Sequence, residues 1–238
     1  MLDNKKVLVV GGGSGIGLGI AHTCHQAGAQ VIISSRNEEK LIEAKNEIGP
    51  RCSYIQSDVS SNKKTQELFE KAGIVDHVVV TVGKPLAKNI FDLEEDEAQE
   101  NMNINFWSKF NVAKASLDKL SPNGSILFIS GAFGEKPNPN LFMTSVAVSA
   151  IEAMTKTLAL STGPKRVNAI APYVIDTSDL QSGLISEKRK IFLQSCKDSL
   201  PAKHVGNSRD IGQAALFLLS SSYSTGVILR LDGGYTIA

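Results

Sequence analysis

Apolar positions along the 238-residue chain fall into short β-branched runs separated by longer stretches of helical period. The runs predict strands near 5–10, 30–35, 53–57, 77–82, 125–130, 166–171 and 227–231. Helices are predicted between them, near 15–28, 37–47, 61–71, 95–119, 142–162, 187–199 and 208–220. This alternation continues from end to end without a Pro- or Ser-rich linker, so residues 1–238 read as one α/β domain. The stretch from Thr144 to Leu160 is apolar on nearly every face, with Val146, Ala147, Val148, Ala150, Ile151 and Ala153 in close succession. Such a helix needs cover on all sides.

The first strand, Lys5 to Val10, runs directly into Gly11, Gly12, Gly13, Ser14, Gly15, Ile16 and Gly17, and then into a helix. Strand, glycine turn and helix in that order suit a dinucleotide. The turn needs positive φ, the backbone must approach a pyrophosphate with no Cβ in the way, and the helix start presents free N–H groups to the phosphates. The glycines at 11, 15 and 17 give G-x-x-x-G-x-G rather than the generic G-x-G-x-x-G. Six glycines among the thirteen residues from Val7 to Gly19 argue against the core of a signal peptide. After the second strand, where a carboxylate would accept from an adenosine ribose 2′-hydroxyl, the chain has Ser35 and Arg36, with Lys40 one helical turn on. A hydroxyl and a planar cation suit a 2′-phosphate, so the expected nucleotide is NADP(H).

Composition narrows the function classes. Residues are 42% hydrophobic, enough for a full core, and the net charge is +1 with Lys and Arg spread evenly. No basic stripe points to nucleic acid; Lys188-Arg189-Lys190, the densest positive group, reads as the solvated start of a helix. No apolar run has the length of a membrane span. Cys24, Cys52 and Cys196 are scattered without metal-ligand spacing, as expected of reduced thiols in a cytoplasmic protein. His22 and His25 lie three residues apart on the first helix with no third ligand, so they read as surface and no metal is expected.

Further markers follow in order: Asp58-Val59 after the third strand, Arg166-Val167-Asn168-Ala169-Ile170-Ala171-Pro172, and Leu231-Asp232-Gly233-Gly234-Tyr235 near the end. Together with the glycine turn and the Ser-Arg pair, they make the chain resemble the short-chain dehydrogenases/reductases over essentially its whole length. The resemblance implies a Rossmann-type, doubly wound, seven-stranded parallel sheet flanked by helices, with the cofactor along the carboxyl ends of the strands at the switch point. It implies a cofactor set of Gly11, Gly13, Ser14, Gly15, Ile16, Gly17, Ser35, Arg36, Asp58, Val59, Gly83, Pro172, Ile175 and Thr177. Asp58 and Val59 would hold the adenine, and Asp232 would sit in a structural C-terminal turn. The helices around Asn105 and Val148 would form a homodimer or homotetramer interface, and Tyr173 to Leu200, with Gly183 as a hinge, would cap the substrate side.

The chemistry departs from that pattern. Val10 stands for the usual Thr before the first glycine, and Val80-Thr81-Val82-Gly83 for Asn-Asn-Ala-Gly. The family's catalytic Ser, Tyr and Lys fall on Gly131, Thr144 and Val148, while Asn105 matches the relay Asn. No slip of alignment restores them, because Pro137 to Met154 contains neither Tyr nor Lys, and no tyrosine occurs between Tyr54 and Tyr173. Tyr173 replaces the glycine after Pro172 at the nicotinamide end, and Lys84 follows Gly83. With Asn105 they are the candidate catalytic residues: Tyr173 is either a relocated acid or a wall over the site, and Lys84 either a nearby cation or simply solvated. Two functions remain open. One is an NADP(H)-dependent oxidoreductase with a non-standard proton source, acting on a small carbonyl or alkene-type substrate. The other is a non-catalytic NADP(H)-binding sensor or partner subunit, and a lyase, isomerase or hydrolase using the nucleotide structurally is a third class.

Overall fold

Val7, Leu8, Val9 and Val10 are all at most 1% exposed, so the first strand is buried on both faces, as a parallel strand covered by helices requires. The structure, a computed structural model, describes residues 1–177 and 186–238. In chain order the elements are β1 (Lys6–Val10), α1 (Gly15–Gln26), β2 (Gln30–Ser35), α2 (Glu38–Ile48), β3 (Cys52–Gln56), α3 (Asn62–Ala72) and β4 (Val75–Val80). There follow α4 (Glu95–Met102), a π turn (Asn103–Trp107), α5 (Ser108–Ser116), β5 (Leu120–Ile129), α6 (Phe142–Ser161), β6 (Arg166–Pro172) and β7 (Ile175–Asp176). The last are α7 (Ser186–Ser199), β8 (Gly206–Asn207), α8 (Ser208–Ser220) and β9 (Ile228–Leu231).

Seven strands form one parallel sheet in the order β3-β2-β1-β4-β5-β6-β9. Alternate residues of each strand feed opposite layers. Val7 and Val9 pack with Ile20 of α1, Leu41 of α2 and Leu218 of α8. Leu8 and Val10 join Leu68 and Phe69 of α3, Val112 of α5 and Ile151 of α6. The chain therefore changes face between β1 and β4, and the crevice at their carboxyl ends is where such a sheet binds a ligand.

Three expectations are corrected. The helix predicted over 95–119 is interrupted by the π turn and ends at Ser116. The fifth strand begins at Leu120 rather than near 125, with a register shift against β4 between Val75 and His77. The small parallel pair of β7 with β8 was not anticipated, because two-residue strands leave no periodic signal. Gly183, read as a hinge, lies outside the described residues. No helix among the described residues is long and apolar enough to cross a membrane.

Candidate active site

Two close approaches build the glycine turn. Gly11 has φ +91°, and a Cβ there would lie 2.3 Å from Thr81 Oγ1. A Cβ on Gly17 would lie 2.1 Å from the Gly11 carbonyl oxygen and 2.7 Å from Thr81 Oγ1. Only glycine fits at either position. The Thr81 hydroxyl, which donates to the Val10 carbonyl at 3.1 Å, thus ties the end of β4 to the turn. Ser14 precedes α1, so the first amides of that helix open on the crevice. Gly15 has φ +55°, and Ile16 packs back on the core.

An open cleft runs along these ends. Gly11, Gly13 and Ser14 form its floor, Ser35, Arg36 and Asp58 one end, and Gly83 and Lys84 the other. Arg36 is exposed, and its carbonyl accepts from Gln56 Nε2 at 2.9 Å. The Asp58 carboxylate accepts from the Ser60 amide at 3.1 Å and hydroxyl at 2.7 Å. Partial burial pushes the Asp58 carboxyl up, but these hydrogen bonds and the charges of Arg36 and Lys64 outweigh it and hold the group below the usual carboxylate range. Val59 is buried beside it. The structure therefore gathers the turn, Ser35, Arg36, Asp58, Val59 and Gly83 around one space.

At the Gly83 end, the buried Asn105 side chain clamps the loop. Its Oδ1 accepts from the Lys84 amide at 2.9 Å, and its Nδ2 donates to the carbonyls of Lys84 at 3.0 Å and Asn101 at 2.9 Å. The Lys84 side chain is exposed, so it is the backbone of this residue that the site uses. Gly131 and Val148 are neighbours: a Cβ on Gly131 would meet Val148 Cγ1 at 3.3 Å. Adjacent Ser130 does not stand in for a missing hydroxyl, since it donates to the Val148 carbonyl at 3.2 Å and to Glu152 at 3.3 Å. Thr144 accepts from the Leu86 amide at 2.9 Å and is 8% exposed, so its hydroxyl anchors the loop.

A family model described as enoyl-(acyl carrier protein) reductase matches residues 11–236. The chain belongs to the short-chain dehydrogenase/reductase family. Among its relatives, the 3-oxoacyl-acyl-carrier-protein reductase FabG of Chlamydia muridarum is 34% identical over 248 residues, covering 98% of each chain. The 7alpha-hydroxysteroid dehydrogenase of Escherichia coli is 30% identical over 246 residues, covering 98% of this chain and 94% of that one. A small-chain dehydrogenase crystallised in complex with NADPH superposes with a TM-score of 0.87 at 31% identity, over 99% of this chain and 100% of the other.

Within this short-chain dehydrogenase/reductase, β6 carries Pro172 to the sheet's carboxyl edge, and Ile175 is buried in β7 with Thr177 just beyond. Tyr173 lies between them in an aromatic cluster. It stacks on Tyr235 with centroids 4.0 Å apart and an interplanar angle of 7°, and Phe133 meets both rings edge-on. Lys136 Nζ lies 4.9 Å from the Tyr235 ring centre and donates to the carbonyls of Tyr235 and Ala238. Burial first, then the charge of the Cys196 thiol and a hydrogen bond with it, push the Tyr173 phenol up to about 12. Asp232 accepts from the Gly234 and Thr236 amides and the Thr236 hydroxyl, making the expected structural turn.

One polar residue of this end escaped the sequence reading. Lys109, 4% exposed, donates to the Asn105 carbonyl at 3.1 Å. Its signal was positional: Asn105, Lys109, Val112, Ala113 and Ser116 share one buried helical face, where a lysine is out of place. Phe133 and Tyr235 were likewise missed as partners of Tyr173, because their contact joins segments far apart in the chain. Among the described residues no group of three His, Cys, Asp or Glu side chains could hold a metal.

Proposed function

We propose that this protein is an NADP(H)-dependent oxidoreductase acting on a small carbonyl or alkene-type substrate. The observation that carries the reading is Arg36 with Ser35 at one end of a cleft whose glycine turn has no room for a Cβ at Gly11 or Gly17. The residues present fit the dinucleotide: α1 amides for the pyrophosphate, Arg36 and Ser35 for the 2′-phosphate, Asp58 and Val59 for the adenine, and the Gly83 loop for the far end. NADPH, when bound, supplies the hydride. The protein orients the nucleotide, clamps the Gly83 loop through Asn105, and walls the substrate side with Tyr173. A phenol pushed up to about 12 and stacked on a second ring is a surface to bind against and a poor proton donor near neutral pH.

Arg36→Ala removes a charge-assisted contact worth about 1.5–3 kcal/mol, so NADPH affinity is expected to fall tenfold or more while NADH affinity barely changes. Calorimetry showing equal affinity of the parent for both nucleotides would end the NADP(H) assignment. Turnover is tested by NADPH oxidation over a panel of carbonyls, quinones and activated alkenes. Tyr173→Phe is expected to leave both turnover and NADPH affinity nearly unchanged, whereas Tyr173→Gly changes which ligands fit. A collapse of turnover on the order of 10²-fold in the Phe variant, with NADPH binding intact, would make the phenol the acid.

The contact of Gly131 with Val148 and the anchoring of Thr144 on Leu86 favour a second reading, a non-catalytic NADP(H)-binding sensor or partner subunit. A protein that binds NADPH yet oxidises it with no member of the panel would be that second protein. Self-association belongs to either reading. In the single chain α6 leaves Val146 43% exposed, and the neighbouring segment leaves Trp107 48% and Phe110 37% exposed. A second copy covering these side chains makes the protein a homodimer or homotetramer. Light scattering should therefore give at least twice the 25.5 kDa chain mass.

A further inference from the structure

Lys109 sits behind the wall of the cleft. Gly83, Ile104 and Ser108 line that wall, and Lys109 follows Ser108 on α5. Its Nζ lies 3.6 Å from where a Cβ on Gly83 would stand. The Asn105 carbonyl is its one hydrogen-bond acceptor among the described residues, and the amide of the same Asn105 holds the Gly83–Lys84 loop. The ammonium, the clamp and the wall are therefore one connected unit.

Among the described residues no carboxylate balances this charge. Burial alone acts on Lys109, drawing its ammonium down from 10.5 to about 7. Of the elements packed against α5, α3 carries Lys63, Lys64, Glu67, Glu70 and Lys71, and β4 carries Asp76 and His77. The π turn and β5 carry no titratable side chain. Glu70 is paired with Lys119, Asp76 with Lys5, and His77 with Ser125, and none of these groups registers on Lys109. A buried, unbalanced charge is costly to the fold, so its place at a ligand cleft calls for a ligand whose own charge it can sense.

The sheet order supplies that ligand's direction. With the 2′-phosphate at the end of β2 and the pyrophosphate at the turn after β1, the rest of the dinucleotide is directed over β4 towards Gly83. There the oxidised nicotinamide ring carries one positive charge that the reduced ring lacks. We propose that Lys109 is the residue through which the site chooses between the two redox states, its ammonium favouring NADPH and opposing NADP⁺. Oxidation of the ring by loss of a hydride adds one positive charge at this end. Release of one proton from Nζ to solvent removes one, so NADP⁺ binding expels a proton that NADPH binding keeps.

This rests on the cleft taking NADP(H), and the test separates the two claims. NADPH and NADP⁺ affinities are measured by calorimetry at about pH 6 and about pH 9, for the parent and for Lys109→Met, which keeps the apolar stem. The 2′-phosphate titrates in both nucleotides and cancels in their ratio. In the parent, the preference for NADPH over NADP⁺ is expected to be roughly tenfold greater at the lower pH, the size set by two unit charges at close range in a partly shielded site. In Lys109→Met the ratio is expected to be independent of pH. Carbon-13 observation of the lysine side chains in the parent needs no variant, and should show the Lys109 titration about one pH unit lower with NADP⁺ than with NADPH. Tight binding of both nucleotides with a flat ratio in the parent would overturn the role of Lys109 alone. A pH-dependent ratio that survives in Lys109→Met would do the same. Failure of either nucleotide to bind at any pH would overturn the reading of the cleft and this inference with it.

Discussion

Gly17→Ala is expected to abolish NADPH binding at concentrations that saturate the parent and to lower stability by about 1–3 kcal/mol, the usual cost of forcing a methyl group into filled space. The clash is with backbone as well as side chain. The new Cβ would sit 2.1 Å from the Gly11 carbonyl oxygen, and Gly11 is itself held at φ +91° against Thr81. Relief requires the turn to open, which moves the amides that face the pyrophosphate. Gly13→Ala is the control, because its nearest neighbour would be the rotatable Ser35 hydroxyl at 3.1 Å. Its urea midpoint should stay close to that of the parent. A Gly17→Ala protein that bound NADPH as tightly as the parent would contradict the close approach seen here.

The second large effect concerns stability and pH. Lys109 ionises at about 7 when folded, against 10.5 for an ordinary lysine. Above 10.5 both states are neutral, and the stability associated with the neutral group is fully present. As pH falls towards 7 the unfolded chain gains a proton that the folded chain does not, so stability declines; below 7 both are charged and the loss is complete. About 3.5 pH units at ~1.4 kcal/mol each make this loss on the order of 5 kcal/mol. Between about pH 10 and about pH 6 the parent should therefore lose roughly that much more stability than Lys109→Met, while every other lysine cancels in the comparison. Parallel urea-unfolding curves for the two proteins across this range would show that Lys109 is not buried as a charge.

Much of the architecture was legible because its determinants are local. The run from Val7 to Val10 and the glycines after it specify a buried strand and a phosphate-facing turn within a dozen residues, and the pattern recurs around the sheet. The place of Arg36 at the cleft was legible for the same reason: it depends only on following β2. The reactive end was not, since it is assembled from segments distant in sequence. That Tyr173 stacks on Tyr235 and Phe133, and that Thr144 serves Leu86, are facts of tertiary packing with no trace in any window of the chain. Lys109 is the instructive case. A lysine on a helix reads as solvated, and only its phase relative to Asn105 and Val112 says otherwise.

The π turn at Asn103–Trp107 makes this phase a matter of counting. A π turn holds one more residue than an α-helical turn would. Before it, Asn101 faces the Lys84 carbonyl; after it, Lys109, Val112, Ala113 and Ser116 face inward. Removing a single residue from the turn would let the two helices fuse into one regular rod with their faces kept in place, whereas removing a residue beside it, with the turn left intact, would rotate everything downstream by about 100°. Lys109 would swing off the cleft wall and Val112 out of the core together. Along this stretch the chain can exchange side chains one at a time, but a change in length by one residue beside the turn is felt at the site and in the core at once.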